Sequence, residues 1–236
     1  MRSLLAAGLT AALLASTPFP GLAASKSFDV EPFTAVEISS GLNAVVSVGG
    51  DLTVSAESGR QDSLDELMIE VENGTLRAWT DWNLFDLLDF GNEGQTTITI
   101  TVPELTGATA NSGADVDITG MTGDRLSLDA SSGASVDARQ LAGGRVTAEA
   151  SSGARLQAAG ECDEMTAEAS SGALVDVRSV VCEAATAEAS SGAHADVHAT
   201  RAVEAEASSG GGVTVFGKPG ETRVDSSSGG NVVFAD

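Results

Sequence analysis

A Ser-Gly pair recurs about once every 20 residues from Asn111 to the C-terminus, and few folds are open to a chain so punctuated. The glycines are Gly113, Gly133, Gly153, Gly172, Gly192, Gly210 and Gly229, spaced by 18 to 20 residues. Self-similarity at this period is the mark of a repeat architecture. In one repeat, Leu126, Leu128 and Ala130 alternate with Ser127 and Asp129; past the Ser-Ser-Gly, Ala134, Val136 and Ala138 alternate with Ser135, Asp137 and Arg139. Period 2 describes half-buried strands, and glycine supplies the turn between them. Two short strands and two glycine-containing corners per 20 residues are expected to form one coil of a β-solenoid. The Thr-Ala-Glu-Ala runs suit a helix by propensity, but the turn triplets leave no room for ten helical residues.

The register holds from repeat to repeat. Five residues before each turn glycine lie Leu128, Ala148, Ala167, Ala187, Ala205 and Val224; three after lie Val116, Val136, Leu156, Val175, Ala195, Val213 and Val232. Between these apolar columns run acidic ones: Asp129, Glu149, Glu168, Glu188, Glu206 and Asp225 before the turn, Asp117, Asp137, Gln157, Asp176 and Asp196 after it. Inward and outward faces of a stacked parallel sheet would alternate in this way. Each coil buries its apolar face only against its neighbours. The alanine-rich interior predicts a thin rod, about 30 Å long for seven coils at the strand spacing of about 4.8 Å.

Residues 1–24 combine an early Arg2, the apolar run LLAAGLTAALLA and a small-residue exit, the layout of a secretory leader cut after Ala23 or Ala24. That run is too short and too alanine-rich for a membrane span, so no stable membrane insertion is expected. Residues 25–236 then form one β-helix domain, with N-terminal strands over 25–105 and regular repeats over 106–236. Asn73-Gly74 between MIEVE and TLRAW signals a tight hairpin, and QTTITITV (Gln95 to Val102) is the clearest single strand. Ser39-Ser40-Gly41 matches the later turns and is expected to close a first coil. An insertion at 79–94 interrupts the pattern. It carries Trp79, Trp82, Phe85 and Phe90, and Trp82, Phe85 and Leu88 fall at the spacing of a short amphipathic helix. Such a segment either caps the rod or presents an aromatic patch to a partner protein or glycan.

The ordered series FTAVEISSGLNAVVSVGGDLTVSAES, LDELMIEVENGTLRA, TITITVPEL and repeated SSGA-x-x-D resembles the head GIN domain family, formerly a domain of unknown function and described as a putative autotransporter adhesin. The resemblance runs from about Phe28 to the C-terminus, with the 79–90 segment unmatched. It implies an exported, right-handed parallel β-helix, with N-terminal strands and a hairpin leading into it, and a bacterial envelope location: periplasm, cell surface or medium. It implies no activity.

Candidate site residues follow from the register. Cys162 and Cys182, the two cysteines, each lie ten residues before a turn glycine, hence in one column of adjacent coils near 5 Å apart, and an exported protein permits their disulfide. Asp117, Asp137, Asp176 and Asp196 are where Ca²⁺ would bind, but one carboxylate per coil without a GGxGxD loop reads as a solvated face. His194 and His198 share a strand face about 13 Å apart, too far to share one metal. The balance of 34 acidic against 12 basic residues, net −22, excludes nucleic acid as a partner. No nucleophile–base pair, phosphate loop or zinc spacing is present, so neither catalysis nor a cofactor is expected. The expected function is non-catalytic binding or adhesion, with an envelope scaffold that docks a partner through residues 79–90 as the alternative. A carbohydrate-active enzyme is the remaining reading, resting on fold analogy alone.

Overall fold

The computed structural model describes residues 24–80 and 96–235. Its regularity begins at the turns. Ser132 and Gly133 both adopt left-handed φ, 53° and 73°, and the corresponding Ser-Gly pair does so in every repeat. Two successive positive-φ residues reverse the chain with the twist that flanking strands need. The Ala134 N–H closes the turn on the Ser131 carbonyl at 3.1 Å, while the Gly133 N–H donates to the Ser152 carbonyl of the next coil at 3.2 Å. The same inter-coil bond joins Gly113 to Ser132, Gly153 to Ser171, Gly172 to Ser191, Gly192 to Ser209 and Gly210 to Ser228. The turns themselves thus stack as a hydrogen-bonded column.

Strands β10 (Thr122–Ala130), β11 (Ser135–Ala150), β12 (Arg155–Ala169), β13 (Leu174–Ala189) and β14 (His194–Ala207) pair in parallel, each with the next. They are longer than the two short strands expected per coil. One tight turn closes each coil; the second corner is a bend within a continuous strand, marked by register shifts between Ala138 and Leu141, Gln157 and Ala159, and Asp176 and Val181. A bulge turns the chain there while the parallel ladder stays bonded on both sides. The architecture is a parallel β-solenoid of about six turns and about 20 residues per coil. Its inner columns are closed: Leu128, Ala148, Ala167, Ala187 and Ala205 are fully buried, as are Val116, Leu156, Val175 and Ala195.

The N-terminal strands do not simply precede the stack. Strands β2 (Ala35–Ile38) and β3 (Asn43–Val48) flank the Ser39-Ser40-Gly41 turn and pair in parallel with β8 (Gly107–Ala110) and β9 (Asp115–Thr119). The Gly41 N–H donates to the Ser112 carbonyl, so this turn belongs to the column. On their other edges, β2 and β3 pair with β6 (Thr75–Thr80) and β7 (Thr97–Val102). The coil formed first in the chain therefore lies second in the stack. β6 and β7 are separated in the chain by residues 81–96. Residues 1–23 of the expected leader (1–24), Trp82, Phe85, Phe90 and the expected 82–88 helix lie outside the described residues, while Ala24 begins β1.

Three antiparallel strands close this end. β5 (Leu67–Glu72) covers β6 through the Asn73-Gly74 hairpin, β4 (Thr53–Ser58) covers β7, and β1 (Ala24–Phe28) pairs with β4. A short helix, α1 (Gln61–Asp65), seats the fully buried Leu64 beneath them. At the opposite end β15 (Gly212–Phe216) and β16 (Glu221–Ser226) pair with β14, and β17 (Asn231–Phe234) pairs with β15. Among the described residues no strand or helix covers β16 and β17. No helix among these residues is long and apolar enough to cross a membrane.

Candidate binding faces of the solenoid

The in-register stack turns a sequence periodicity into a surface. Asp129, Glu149, Glu168, Glu188, Glu206 and Asp225 are direct neighbours from β10 to β16, repeating about every 4.8 Å. Two residues further along each strand, Ser131, Ser151, Ser170, Ser190, Ser208 and Ser227 form a parallel row, headed by Asn111. Together they line an open groove of about 380 Å³ beside the turn column. The Ser131 hydroxyl donates to Asn111 Oδ1 at 2.6 Å. Burial, with the neighbouring Asp129 and Glu168 charges added, pushes the Glu149 carboxyl above its usual range. Towards the N-terminus the ladder continues through Thr109 to Glu37. There Arg77 of the adjoining strand meets Glu37 at 3.1 Å and Glu72 at 3.3 Å. Among the described residues no lysine or arginine reaches the six groove acids. The groove is an uncompensated line of carboxylates edged by hydroxyls.

The aspartate column on the other side of the turn differs in kind. Arg139 Nη2 lies 2.7 Å from Asp137 Oδ2 and 4.0 Å from Asp117 Oδ1. Arg178 Nη2 lies 2.6 Å from Asp176 Oδ2 and 3.2 Å from Asp196 Oδ2, with its guanidinium 5.7 Å from the Phe216 ring centre. The hydrogen bond from Arg178 holds the Asp176 carboxyl below the usual aspartate range, against the opposing effect of partial burial. Gln157 interrupts the column. Arginine side chains thus already sit against the four aspartates weighed for Ca²⁺. Among the described residues no three His, Cys, Asp or Glu side chains converge as a metal site.

His194 and His198 do not act as a pair. His198 Nδ1 donates to the Arg178 carbonyl at 3.2 Å. His194 Nε2 lies 3.1 Å from Thr214 Oγ1 and 3.0 Å from Asp196 Oδ1. Hydroxyl, imidazole and carboxylate meet here, but both oxygens approach the same nitrogen. A proton relay needs them on opposite nitrogens, with the carboxylate orienting the ring through Nδ1. His194 Nδ1 instead faces Gly212, where a Cβ would come within 2.5 Å of it. The arrangement does not assemble a hydrolytic triad.

The family model described as "putative auto-transporter adhesin, head GIN domain" matches residues 32–219. The chain belongs to the head GIN domain family. No curated protein sequence matches it. Among solved structures, one described as a putative adhesin from Bacteroides fragilis superposes with a TM-score of 0.80 at 16% identity, over 91% of this chain and 97% of the other. A putative adhesin from Parabacteroides merdae gives 0.69 at 12% identity, over 92% and 98%. A putative lipid binding protein from Parabacteroides distasonis gives 0.63 at 14%, also over 92% and 98%. At such identities the likeness shows the fold alone.

Within this head GIN domain, Cys162 and Cys182 lie opposite one another on β12 and β13, with Cα atoms 4.6 Å apart and the sulfurs bonded at 2.03 Å. Both cysteines are buried, at 8% and 1% exposure, and neither lines the acid groove. Trp79 is half-buried in β6, opposite Met68 of β5. The groove acids form one of the two acidic columns legible in the sequence, and Ca²⁺ was expected at the other. The signal separating them was present: arginines stand two residues past Asp137 and Asp176, on the same strand face, whereas none stands two residues from Asp129, Glu149, Glu168, Glu188 or Glu206, and only Asp225 has one, Arg223, at that spacing.

Proposed function

We propose that this chain is an exported, non-catalytic adhesion module of the bacterial envelope, with the serine-edged acid groove as its recognition surface. The observation that carries the reading is the unpaired run of six carboxylates in register, held by a backbone ladder rather than by long side chains. A rigid line of acceptors favours an elongated partner bearing cationic groups or hydrogen-bond donors at short, regular intervals, because little ordering entropy remains to be lost on the protein side. Membership of an adhesin family and the leader-like residues 1–24 support export. The test uses the whole chain and a decalysine peptide as probe, with binding followed by interferometry. The Glu149→Gln/Glu168→Gln/Glu188→Gln variant should lose affinity at least about tenfold. A control with equal charge removed elsewhere, Glu57→Gln/Glu70→Gln/Glu161→Gln, should bind as wild type. Equal loss in both variants would reduce the effect to net charge and sink the groove reading.

A second reading rests on topology. Residues 81–95, with Trp82, Phe85 and Phe90, lie in the chain between β6 and β7, the strands of the outermost parallel coil. We propose this segment as the docking element of an envelope scaffold. A chain in which 81–95 is replaced by Ser-Ser-Gly should then fold with an unchanged melting temperature and lose its partner in a pull-down from envelope extracts. Retention of the same partners would overturn this reading.

A further inference from the structure

We infer that two copies of this chain associate through the uncovered C-terminal end of the solenoid, tail to tail and in antiparallel register about Val224. The inner columns break off abruptly there. Ala205 is fully buried, yet Val224, the next residue in its column, is 46% exposed; Val215 is 1% exposed and its successor Phe234 49%. Neither β16 nor β17 has a strand on its outer edge among the described residues, so the end combines apolar side chains with unpaired backbone donors and acceptors. Such edges are templates for another strand unless they are blunted.

Blunting is the competing explanation, since β16 carries Glu221, Arg223 and Asp225. Charge turned inward, one of the blunting devices, is absent. Here the inward positions are Thr222, Val224 and Ser226, and the charges of both signs lie on the outer face. Their order selects the occupant. Antiparallel pairing centred on Val224 sets Arg223 against the partner's Asp225 and Thr222 against the partner's Ser226. Opposite charges directly across a strand pair are favourable. A contact of this kind is self-complementary and closes at two copies. Head-to-tail stacking is blocked, because β6 and β7, which would receive β16 and β17, are already covered by β5 and β4.

Sedimentation velocity of the whole chain tests this at physiological salt, over concentrations up to the solubility limit. The expected result is a reversible rise from 23.6 kDa to twice that mass, with X-ray scattering showing lengthening along the rod axis rather than thickening. Val224→Lys should move the midpoint to at least about tenfold higher concentration. Arg223→Glu and Asp225→Arg should each weaken association, and the double exchange should restore it. A melting curve on each variant separates loss of association from loss of folding. Monomer throughout, species larger than dimers, or a double exchange no better than either single change would overturn the proposal. Asp225 is also one of the groove acids, so the two proposals are told apart by Val224→Lys, which leaves all six carboxylates in place and should lose association while keeping decalysine binding.

Discussion

Arg178 and Asp196 face one another across neighbouring coils, Nη2 to Oδ2 at 3.2 Å, and the same guanidinium nitrogen binds Asp176 at 2.6 Å. Side chains of Asp176 and Asp196 are 14% and 9% exposed, that of Arg178 49%. Two carboxylates that have given up most of their water thus share one half-solvated cation. Arg178→Ala would leave both without it. Solvent screening at the arginine holds the expected loss to about 1–2 kcal/mol, a fall of several degrees in melting temperature for a chain of this size. The pH dependence has a definite sign. Asp176 is held below its ordinary value, so its contribution is present above that value and is lost as pH falls through the lowered one. The gap between variant and wild type should therefore be widest at neutral pH and close as the carboxylates protonate. A gap unchanged between neutral and acid melts would show that Arg178 acts by packing alone.

Glu149 carries the opposite sign. Its carboxyl is raised by burial and by Asp129 and Glu168, so the fold favours the protonated form. Stability from this group is full below its unfolded value, falls as pH rises to the folded one, and stays reduced at neutrality. Glu149→Gln should raise the melting temperature at neutral pH by about 1–2 °C. The gain should vanish in acid. A variant that melts below wild type at neutral pH would mean that the carboxylate accepts a hydrogen bond of greater weight than the repulsion it suffers.

How far these features could be read from the chain depends on which contacts are periodic. Alternation around Leu128 and Val136 placed the inner columns, because a one-residue slip would turn every apolar side chain outward. Parity is silent on stacking order. The segments around Val36 and Leu76 have the same alternation, so nothing local says that β2 lies between β6 and β8. A second glycine-containing corner was expected in each repeat, whereas the chain of β11 bends near Gln140, a non-glycine at φ 57°. Of the candidate residues, Cys162 and Cys182 were placed by counting alone, since both lie in one column. His194 was not, because its surroundings come from Thr214 and Gly212 a coil away.

The Cys162–Cys182 bridge links residues 20 apart in sequence. Closing a loop of that length in the unfolded chain is worth about 3 kcal/mol on the chain-entropy account. Reduction, or Cys162→Ser/Cys182→Ser, should lower the melting temperature by roughly 6–12 °C and leave groove binding unchanged. Tryptic sites at Arg145 and Arg155 should open earlier than those at Arg77. A double variant as stable as wild type would assign these coils' cohesion to the ladder and turn column alone.

Gly160 sits at the bulged corner of β12, beside Leu141 of the preceding coil, with φ at 154°. A Cβ there would collide with the Leu141 carbonyl oxygen and crowd its carbonyl carbon and amide nitrogen. These are backbone atoms of a bonded ladder and cannot swing aside as a side-chain tip can. Gly153, a turn glycine with φ at 73°, would place a Cβ in open space. The two positions separate conformational from steric cost. Gly153→Ala should lose about 1 kcal/mol, the penalty of left-handed backbone alone. Gly160→Ala should lose about 2–4 kcal/mol, because coils must part or the corner must be rebuilt. Denaturant unfolding of both variants reads the difference. If Gly160→Ala costs no more than Gly153→Ala, the second corner is pliable, and its bulge follows from the ladder rather than from a fixed backbone path.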